Sequence, residues 1–351
     1  MEKSIEERHR ILKDLLETDL KPYVKRIDIG TFYADKFLKK LGKAGLLSSA
    51  NRSQKEIIKQ GMKLVEEVSK VCMTTAFCLW CQLAAMTYVR NTSNEALKNK
   101  FLTSLENGEI LAGTGLSNPM KYYAGLERLH LSAKRTDKGY LISGSLPAVS
   151  NLGEDHWFGI IASTNENKEI MCFVPCSADG LSLKEKSDYL GVNGSATYVC
   201  TFHQVFVPDE WILSNHAAEF IELIRPAFLA YQIPLGLGVT VASISSIEKM
   251  SKKQNGCNRF LKQQAHDLHE RFMVEREKIE EVLSSEDFNW RAIAEIRLET
   301  VFLTLESVQA SMLHHGSAGY IKDSGPSRRL REAYFFANLT PTVKHLEKIL
   351  Q

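Results

Sequence analysis

Three short spacings bring residues with reactive side chains close together in this chain. Cys78 and Cys81 have the Cys-x-x-Cys spacing, but no strand precedes their uncharged stretch, so core cysteines are favoured over a redox pair or half a zinc site. His266 and His269 lack the His-Glu-x-x-His order and indicate a solvated helix face. Glu222 precedes Arg225 by three residues, which is typical of an ion pair along one helix. These spacings predict no metal site.

Phosphate-binding and nucleophile motifs are missing from the sequence. Gly236-Leu237-Gly238 is part of a dinucleotide-binding pattern, but it lies in a stretch of helical periodicity with no strand before it. There is no Gly-x-x-x-x-Gly-Lys loop and no serine nucleophile elbow. The net charge of +2 gives no electrostatic reason to expect nucleic acid or a membrane as a partner.

The composition is that of an ordinary globular protein. The 351 residues are 44% hydrophobic and 25% charged, which suits two or three domains. The seven cysteines are odd in number and irregularly spaced, and no secretory signal is recognisable, so we expect free thiols in the cytoplasm. Residues 71–89 carry no formal charge but include several polar side chains, which favours a helix buried in a bundle over a membrane span.

The periodicity of the apolar residues changes twice along the chain. Residues 1–112 show helical stripes, residues 113–212 hold nearly all of the period-two stretches, and residues 213–351 are helical again. The pattern predicts a mainly α protein with an N-terminal helical domain, a middle β domain and a C-terminal helical bundle. The long apolar stripe at residues 228–244 is more than a monomer comfortably exposes, which favours a homo-oligomer.

Five motifs follow one another in a fixed order: Gly115-Leu116-Ser117-Asn118-Pro119, Gly139-Tyr140-Leu141-Ile142-Ser143-Gly144, Val149-Ser150-Asn151, Val205-Phe206-Val207-Pro208 and Gly316-Ser317-Ala318-Gly319-Tyr320. They resemble the Ala-Leu-Thr-Glu-Pro, Gly-Tyr-x-Ile-x-Gly, Ile-Thr-Asn, Val-x-Val-Pro and Gly-Gly-x-Gly-Tyr motifs of the acyl-CoA dehydrogenase family. The resemblance covers essentially the whole chain. It implies a small β-barrel between an N-terminal helical domain and a C-terminal four-helix bundle, with FAD as cofactor and a homodimer or homotetramer as the assembly.

The resemblance also implies how FAD would be held. Backbone at Thr114 and Leu116 would face the flavin, and the hydroxyls of Ser117 and Ser150 replace those of family threonines. Further cofactor contacts are implied for Ala148, Lys252, Gln263, Gly316 and Thr342. Ala148 stands where the family has an aromatic residue stacked on the flavin. Lys252 opens the segment that replaces Arg-x-x-Phe-Gly, and it neutralises phosphate without a bidentate fork.

Two substrate contacts are implied as well. Met120-Lys121-Tyr122-Tyr123 replaces the Gly-Ser-Asp that helps hold the thioester in the family, which makes Tyr123 a candidate. Glu222-Leu223-Ile224-Arg225-Pro226 is similar to the Asp-x-x-Arg-Pro that opens the helix beside the acyl pocket, which makes Arg225 the other. The implied substrate is a small molecule such as an acyl thioester.

The largest departure is at Thr340. The segment from Arg331 to Thr342 resembles the closing motif Arg-Asp-Ala, six residues, Glu-Gly-Thr, whose Glu takes the α proton of the acyl thioester. Here Thr340 and Pro341 replace Glu-Gly. A threonine hydroxyl is not a proton acceptor near neutral pH, because its conjugate acid is far too strong. Some family members carry the base on the Arg-Pro helix, so Glu222 is the candidate displaced base.

Three functions remain open from the sequence. The first is an FAD-dependent oxidoreductase acting on a CH–CH group, with atypical or reduced acyl-CoA dehydrogenation. The second is a flavin-dependent monooxygenase on the same fold, with Ala148 leaving room beside the flavin. The third is a non-catalytic flavoprotein or partner subunit.

Overall fold

The first part of the chain is helical. The structure, a computed structural model, describes residues 4–164, 168–285 and 288–351. Its N-terminal helices are α1 (Ile5–Leu15), α2 (Val24–Asp28), α3 (Asp35–Lys43), α4 (Gln54–Val71), α5 (Met73–Asn91) and α6 (Glu95–Glu106). Ser53 begins α4 with a capping box to Glu56, which satisfies amide groups that the first turn leaves free.

Helix α5 is the central helix of this part, and it is buried from Met73 to Val89, which confirms the prediction of a buried helix. Gln82, a polar residue of α5, is fully buried, and both the nitrogen and the oxygen of its side chain form hydrogen bonds. The Gln82 amide donates to the carbonyls of Leu105 and Ile110, 3.1 Å away in each case, and its oxygen accepts from the Ala112 amide at 2.7 Å. A buried polar group needs such partners, and here they fix where the first strand begins.

A mixed sheet forms the middle of the chain. Its strands are β1 (Ala112–Thr114), β2 (Leu131–Thr136), β3 (Gly139–Val149), β4 (Trp157–Thr164), β5 (Glu169–Pro175), β6 (Leu181–Glu185), β7 (Tyr198–Pro208) and β8 (Ile212–Ser214). The strand order is β6-β7-β3-β2-β4-β5-β8, and β1 pairs in parallel with β4. Within the described residues no hydrogen-bond ladder joins the end strands β6 and β8. A helix absent from the sequence-based expectation, α7 (Ser117–Tyr123), follows β1.

The last part of the chain is a helical bundle. It contains α8 (Ala217–Ala230), α9 (Ile233–Met250), α10 (Ala265–Ser284), α11 (Trp290–His315), α12 (Gly325–Asn338) and α13 (Val343–Leu350). Helices α8 and α9 follow each other closely and are separated only at Tyr231 and Gln232. Pro234 lies in the first turn of α9, where its missing amide costs nothing.

Close packing explains why two glycines lie within α9. A Cβ on Gly238 would lie 2.7 Å from the carbonyl oxygen of Glu66, and one on Gly236 would meet the Phe336 ring at 2.4 Å. These glycines therefore let α4 and α12 approach α9, which confirms that they belong to a helix and not to a dinucleotide loop.

The apolar stripe at residues 228–244 packs within the chain's own bundle. The expectation that a monomer would leave this stripe exposed was therefore wrong, and the stripe gives no support to a homo-oligomer. Within the described residues, Ala217–Met250 is long and apolar enough to cross a membrane by length and composition, and 89% of its apolar window is buried inside the protein.

Candidate functional site

A cavity of about 200 Å³ lies between α5, the ends of β1 and β3, and the segment after α12. We call it the main cavity because it collects residues predicted from the sequence, although cavities of about 320 and 600 Å³ lie elsewhere in the described structure. One wall presents hydroxyl groups, from Thr114, Ser117, Ser150, Thr197 and Thr340. The other wall is apolar and mostly aromatic, from Phe77, Trp80, Phe228, Phe335 and Leu339. The fold thus brings Thr114, Ser117, Ala148, Ser150 and Thr340, all predicted from sequence, to one place.

Ser150 is held in a short chain of hydroxyl groups. Its Oγ lies 2.7 Å from Thr197 Oγ1, which in turn lies 2.8 Å from the buried Ser195 Oγ. A register shift in the β3–β7 ladder between Leu146 and Val149 precedes this point and turns Ala148 toward the cavity. Bulges of this kind re-aim side chains near sites.

The residue after Ser150 anchors the same turn. Asn151 has a positive φ of 61° and is fully buried. Its side-chain nitrogen Nδ2 donates to the carbonyl oxygen of Ala112 at 2.8 Å, and its side-chain oxygen accepts from the Tyr33 hydroxyl. His156 Nδ1 lies 3.0 Å from the backbone oxygen of Asn151, and burial lowers the pKa of this imidazole. The end of β3 is therefore tied to β1 and to the N-terminal helices.

Thr114 is fixed from the helical side. The hydroxyl of Tyr88, a fully buried residue of α5, lies 2.7 Å from Thr114 Oγ1. Burial raises the pKa of Tyr88 well above its usual range, so this phenol stays protonated. A rigid helix and a rigid strand therefore hold the hydroxyl pair.

Thr340 is positioned from both sides. Its Oγ1 lies 2.9 Å from Ser117 Oγ, and its backbone oxygen accepts from Gln232 Nε2 at 3.0 Å. Gln232 is oriented by Arg297 Nε, 3.1 Å from its side-chain oxygen. Arg297 is itself fully buried over the Phe336 ring, and burial lowers the pKa of its guanidinium to about 9.

The lining of the main cavity holds no carboxylate, histidine or lysine among the described residues. Its titratable side chains are Cys81 and Tyr189. Burial raises the pKa of the Cys81 thiol well above its usual range. A general base for neutral pH needs a pKa near that of the solution and reach to the proton. The Cys81 thiol does not meet the first condition, and the described lining offers no carboxylate, imidazole or amine in its place.

Glu222 lies outside the main cavity. Its side chain is 57% exposed and pairs with Arg225. Arg225 stacks over the Trp290 ring, 4.6 Å from its centroid, and lines a second cavity of about 60 Å³ together with Tyr123, Pro341 and His345. We call this the Arg225 cavity. The two predicted substrate residues, Arg225 and Tyr123, thus meet beside the residue that follows Thr340, and not in the main cavity.

The remaining predicted cofactor residues are not among those that line the main cavity. Leu116 is buried at the start of α7, and the Thr342 hydroxyl caps α13. Lys252 is exposed after α9, Gln263 Nε2 donates to Glu306, and Gly316 ends α11 with a φ of 56°. Their roles as cofactor contacts stay predictions.

Sequence reasoning missed several residues of the main cavity. Thr197 and Tyr189 lie in the connection between β6 and β7, and Phe77 and Phe335 lie on helices far apart in sequence. An aromatic residue on a helix looks like any other core residue in the sequence. Only the packing of α12 against α5 reveals that Phe77 and Phe335 form one wall, with ring centroids 4.7 Å apart.

Sequence comparison finds relatives of one kind. A family profile described as "Acyl-CoA dehydrogenase, N-terminal domain" matches residues 6–109. "Probable acyl-CoA dehydrogenase YngJ" of Bacillus subtilis is 23% identical over 349 residues, covering 92% of this chain and 90% of that protein. The mitochondrial short-chain specific acyl-CoA dehydrogenase of Mus musculus is 24% identical over 71% of this chain and 64% of its own length.

Solved structures agree in fold. Butyryl-CoA dehydrogenase from Megasphaera elsdenii superposes with a TM-score of 0.85 at 17% identity, over 100% of this chain and 98% of that chain. A glutaryl-coenzyme A dehydrogenase in complex with glutaryl-CoA gives a TM-score of 0.87 at 16% identity, over 100% of this chain and 95% of that chain. At such identities the likeness shows the fold alone.

Proposed function

The chain belongs to the acyl-CoA dehydrogenase family, and on that premise we propose that it is an FAD-dependent oxidoreductase whose removal of an α proton from acyl thioesters is slow or absent. The observation that carries the proposal is the lining of the main cavity, which includes Thr340 and holds no carboxylate, histidine or lysine among the described residues.

The main cavity suits one face and one edge of a flavin ring. Its hydroxyl wall offers donors and acceptors for ring carbonyls and nitrogens, and its aromatic wall offers an apolar face. The Tyr189 hydroxyl lines the cavity, is buried and has no partner among the described residues. An unpartnered buried polar group is costly, so a ligand that bonds to it is favoured. Bound FAD would supply a two-electron acceptor.

The residues of this chain would bind and orient. Ser117, Ser150 and Thr114 have hydroxyls already fixed by Thr340, Thr197 and Tyr88, respectively. Such fixed groups lose little freedom when they bind a ring. The aromatic wall would exclude water. At Thr340 the hydroxyl would donate or accept a hydrogen bond but not take a proton from carbon.

One observation favours a second candidate, a flavin-dependent monooxygenase. Ala148 lines the main cavity with only a methyl group, which leaves space where an aromatic ring would otherwise lie. The enzyme would then consume oxygen and need no base for an α proton. The third possibility, a flavoprotein without catalysis, predicts bound FAD and neither activity.

Anaerobic titration with a panel of acyl-CoAs, followed by flavin absorbance, tests the proposal. We expect a yellow protein whose flavin bleaches slowly or not at all. Rapid bleaching by ordinary acyl-CoAs would refute the proposal that removal of the α proton is slow or absent. A protein that stays colourless after FAD addition would refute the prediction that it binds FAD. Fast reoxidation of chemically reduced flavin in air would favour the monooxygenase.

We further propose a cytoplasmic homodimer or homotetramer. Exposed apolar side chains occur after α9, at Phe260, and in the last turn of α11 and the segment that follows it, at Leu313, Tyr320 and Ile321. Asn258 Nδ2 donates to the His314 backbone oxygen at 2.9 Å, which joins these segments into one region of the surface. Exposed apolar groups that lie close together favour contact with another protein surface. Light scattering at micromolar concentration tests this, and a monomeric mass would contradict it.

A further inference from the structure

The Arg225 cavity contains polar atoms that the protein itself does not satisfy. The Tyr123 hydroxyl and His345 Nδ1 are buried and have no hydrogen-bond partner in the described part of the chain. Both residues line the cavity, and His345 is only 4% exposed. Leaving such groups unpaired costs free energy, so two unpaired groups on residues that line the same cavity favour a ligand or water there.

Arg225 adds a positive charge to the same cavity. Its guanidinium makes one ion pair, with Glu222, through a single nitrogen, and its side chain is 18% exposed. A guanidinium has five N–H donors, so further donors remain beside the cavity. Stacking on Trp290 fixes the plane of the group.

The surroundings of His345 are positive. Burial first, and then the charges of Lys121, Lys348 and Arg225, lower the pKa of this imidazole to about 4. The nearby carboxylates already have partners. Glu127 accepts from Lys121, Glu169 accepts from the Tyr122 hydroxyl, and Glu222 pairs with Arg225.

We infer that the Arg225 cavity binds a carboxylate group through the Arg225 guanidinium, the Tyr123 hydroxyl and the His345 ring nitrogen. A carboxylate accepts several hydrogen bonds and is the natural counterpart of a guanidinium. The volume of about 60 Å³ is several times the roughly 10–15 Å³ that one water molecule needs. The cavity is therefore large enough for two oxygens and the carbon between them.

The carboxylate could belong to a free small acid or to the far end of an acyl substrate. Thr340 lines the main cavity and the next residue, Pro341, lines the Arg225 cavity. An acyl group with a terminal carboxylate would thus have its charged end near the reacting position. This second source rests on the proposed function, whereas the carboxylate site itself does not.

The site is tested by calorimetric titration of the purified protein with propionate and with propionamide, which share a shape and differ in charge. We expect binding of propionate, weaker binding of propionamide, and a loss of roughly 10- to 100-fold in propionate affinity in Arg225→Gln. Tyr123→Phe and His345→Gln should each weaken it by a smaller factor. Tyr334→Phe is the matched control, because this tyrosine of α12 is 43% exposed and is not among the residues that line the cavity, and it should bind propionate normally.

A second titration identifies the source of the carboxylate. It compares the binding of succinyl-CoA and glutaryl-CoA, whose acyl groups end in a carboxylate, with that of butyryl-CoA and valeryl-CoA, whose acyl groups end in a methyl group. Tighter binding of the acids, lost in Arg225→Gln, assigns the carboxylate to the acyl substrate. Equal binding of all four, with propionate still bound, assigns it to a separate small acid. If propionate and propionamide bind equally, or if propionate binding is the same in all variants, the cavity holds water and the inference is overturned. A thermal shift for each variant checks its fold. The propionate titration needs no flavin, so loss of FAD would leave its result intact.

Discussion

The hydroxyl oxygens of Ser117 and Thr340 lie 2.9 Å apart although 223 residues separate them along the chain. Ser117 begins α7, and Thr340 follows the end of α12. Their contact places a neutral hydrogen-bonded pair at the position where the resemblance to the family's closing motif implies a carboxylate. The pair also gives a direct way to test what position 340 does.

We expect Thr340→Glu to raise the rate at which acyl-CoAs bleach the flavin, because it adds a carboxylate to a cavity that has none. A positioned base contributes about 10²–10⁴-fold in rate, and the gain should be toward the low end because the new side chain must displace the contact with Ser117. Stopped-flow absorbance measures the rate. Thr340→Gln controls for size without a base, and Thr340→Ala should leave the slow rate nearly unchanged. Equal rates in the Glu and Gln variants would contradict this explanation.

Glu222→Gln decides whether the exposed carboxylate on α8 is a displaced base. Its side chain is 57% exposed and bonded to Arg225, so we expect any residual bleaching to stay within about twofold of the unmodified rate. The measurement is anaerobic single-turnover absorbance. Complete loss of bleaching would show that Glu222 moves into the site and acts there. Glu219→Gln, on the same helix, is the matched control.

Replacement of Ser150 by leucine should reduce FAD retention, because the side chain would fill part of the main cavity and remove the contact with Thr197 at 2.7 Å. We expect a loss of at least about tenfold in affinity, corresponding to roughly 1.4 kcal/mol. Fluorescence of released flavin after dilution measures it. Ser145→Leu, on the strand β3 that precedes Ser150, is exposed and outside the cavity lining and should retain FAD. Equal retention in both variants would place the flavin elsewhere.

Asn151 should contribute strongly to stability. Asn151→Ala removes the bonds to Ala112 and Tyr33 and places alanine at a φ of 61°, so we expect a loss of about 2–4 kcal/mol in the free energy of unfolding. Tyr33→Phe removes one of these bonds and should cost about 1 kcal/mol. Urea unfolding followed by circular dichroism measures both. Equal losses of unfolding free energy in the two variants would mean that neither the backbone conformation at residue 151 nor the bond to Ala112 contributes to stability.

His345 should make stability fall in mild acid. Its pKa is about 4 in the folded protein and near 6.5 when unfolded, so between these values the unfolded chain takes up a proton that the folded protein does not. Stability from this group is therefore present above about pH 6.5 and is lost as the pH falls toward 4. We expect His345→Gln to reduce the loss between pH 7 and pH 5 by on the order of 1 kcal/mol. Urea unfolding at both pH values measures it, and parallel curves for the two proteins would contradict it.

Much of the architecture could be predicted from the sequence because it follows from local periodicity. The uncharged stretch before Val89 favours a buried helix over a membrane span, and β4 and β5 have the short apolar runs typical of buried strands. The strands β1, β6 and β8 carry no distinct pattern in the sequence. The first and the last have three residues each, and β6 is largely exposed.

The sequence by itself determined that Thr340 stands in the segment from Arg331 to Thr342 that resembles the family's closing motif. Only the tertiary structure shows that, in the described part of the chain, no carboxylate lines the main cavity beside it. Glu222 belongs to a segment that resembles a family motif, but its side chain is exposed and paired with Arg225. The main cavity collects hydroxyls and aromatic rings from α5, β3 and α12. Likewise, Arg225, Tyr123 and His345 share a cavity because α7, α8 and α13 pack together. Local patterns encode which element a residue belongs to, whereas contacts between distant elements depend on how their buried faces pack.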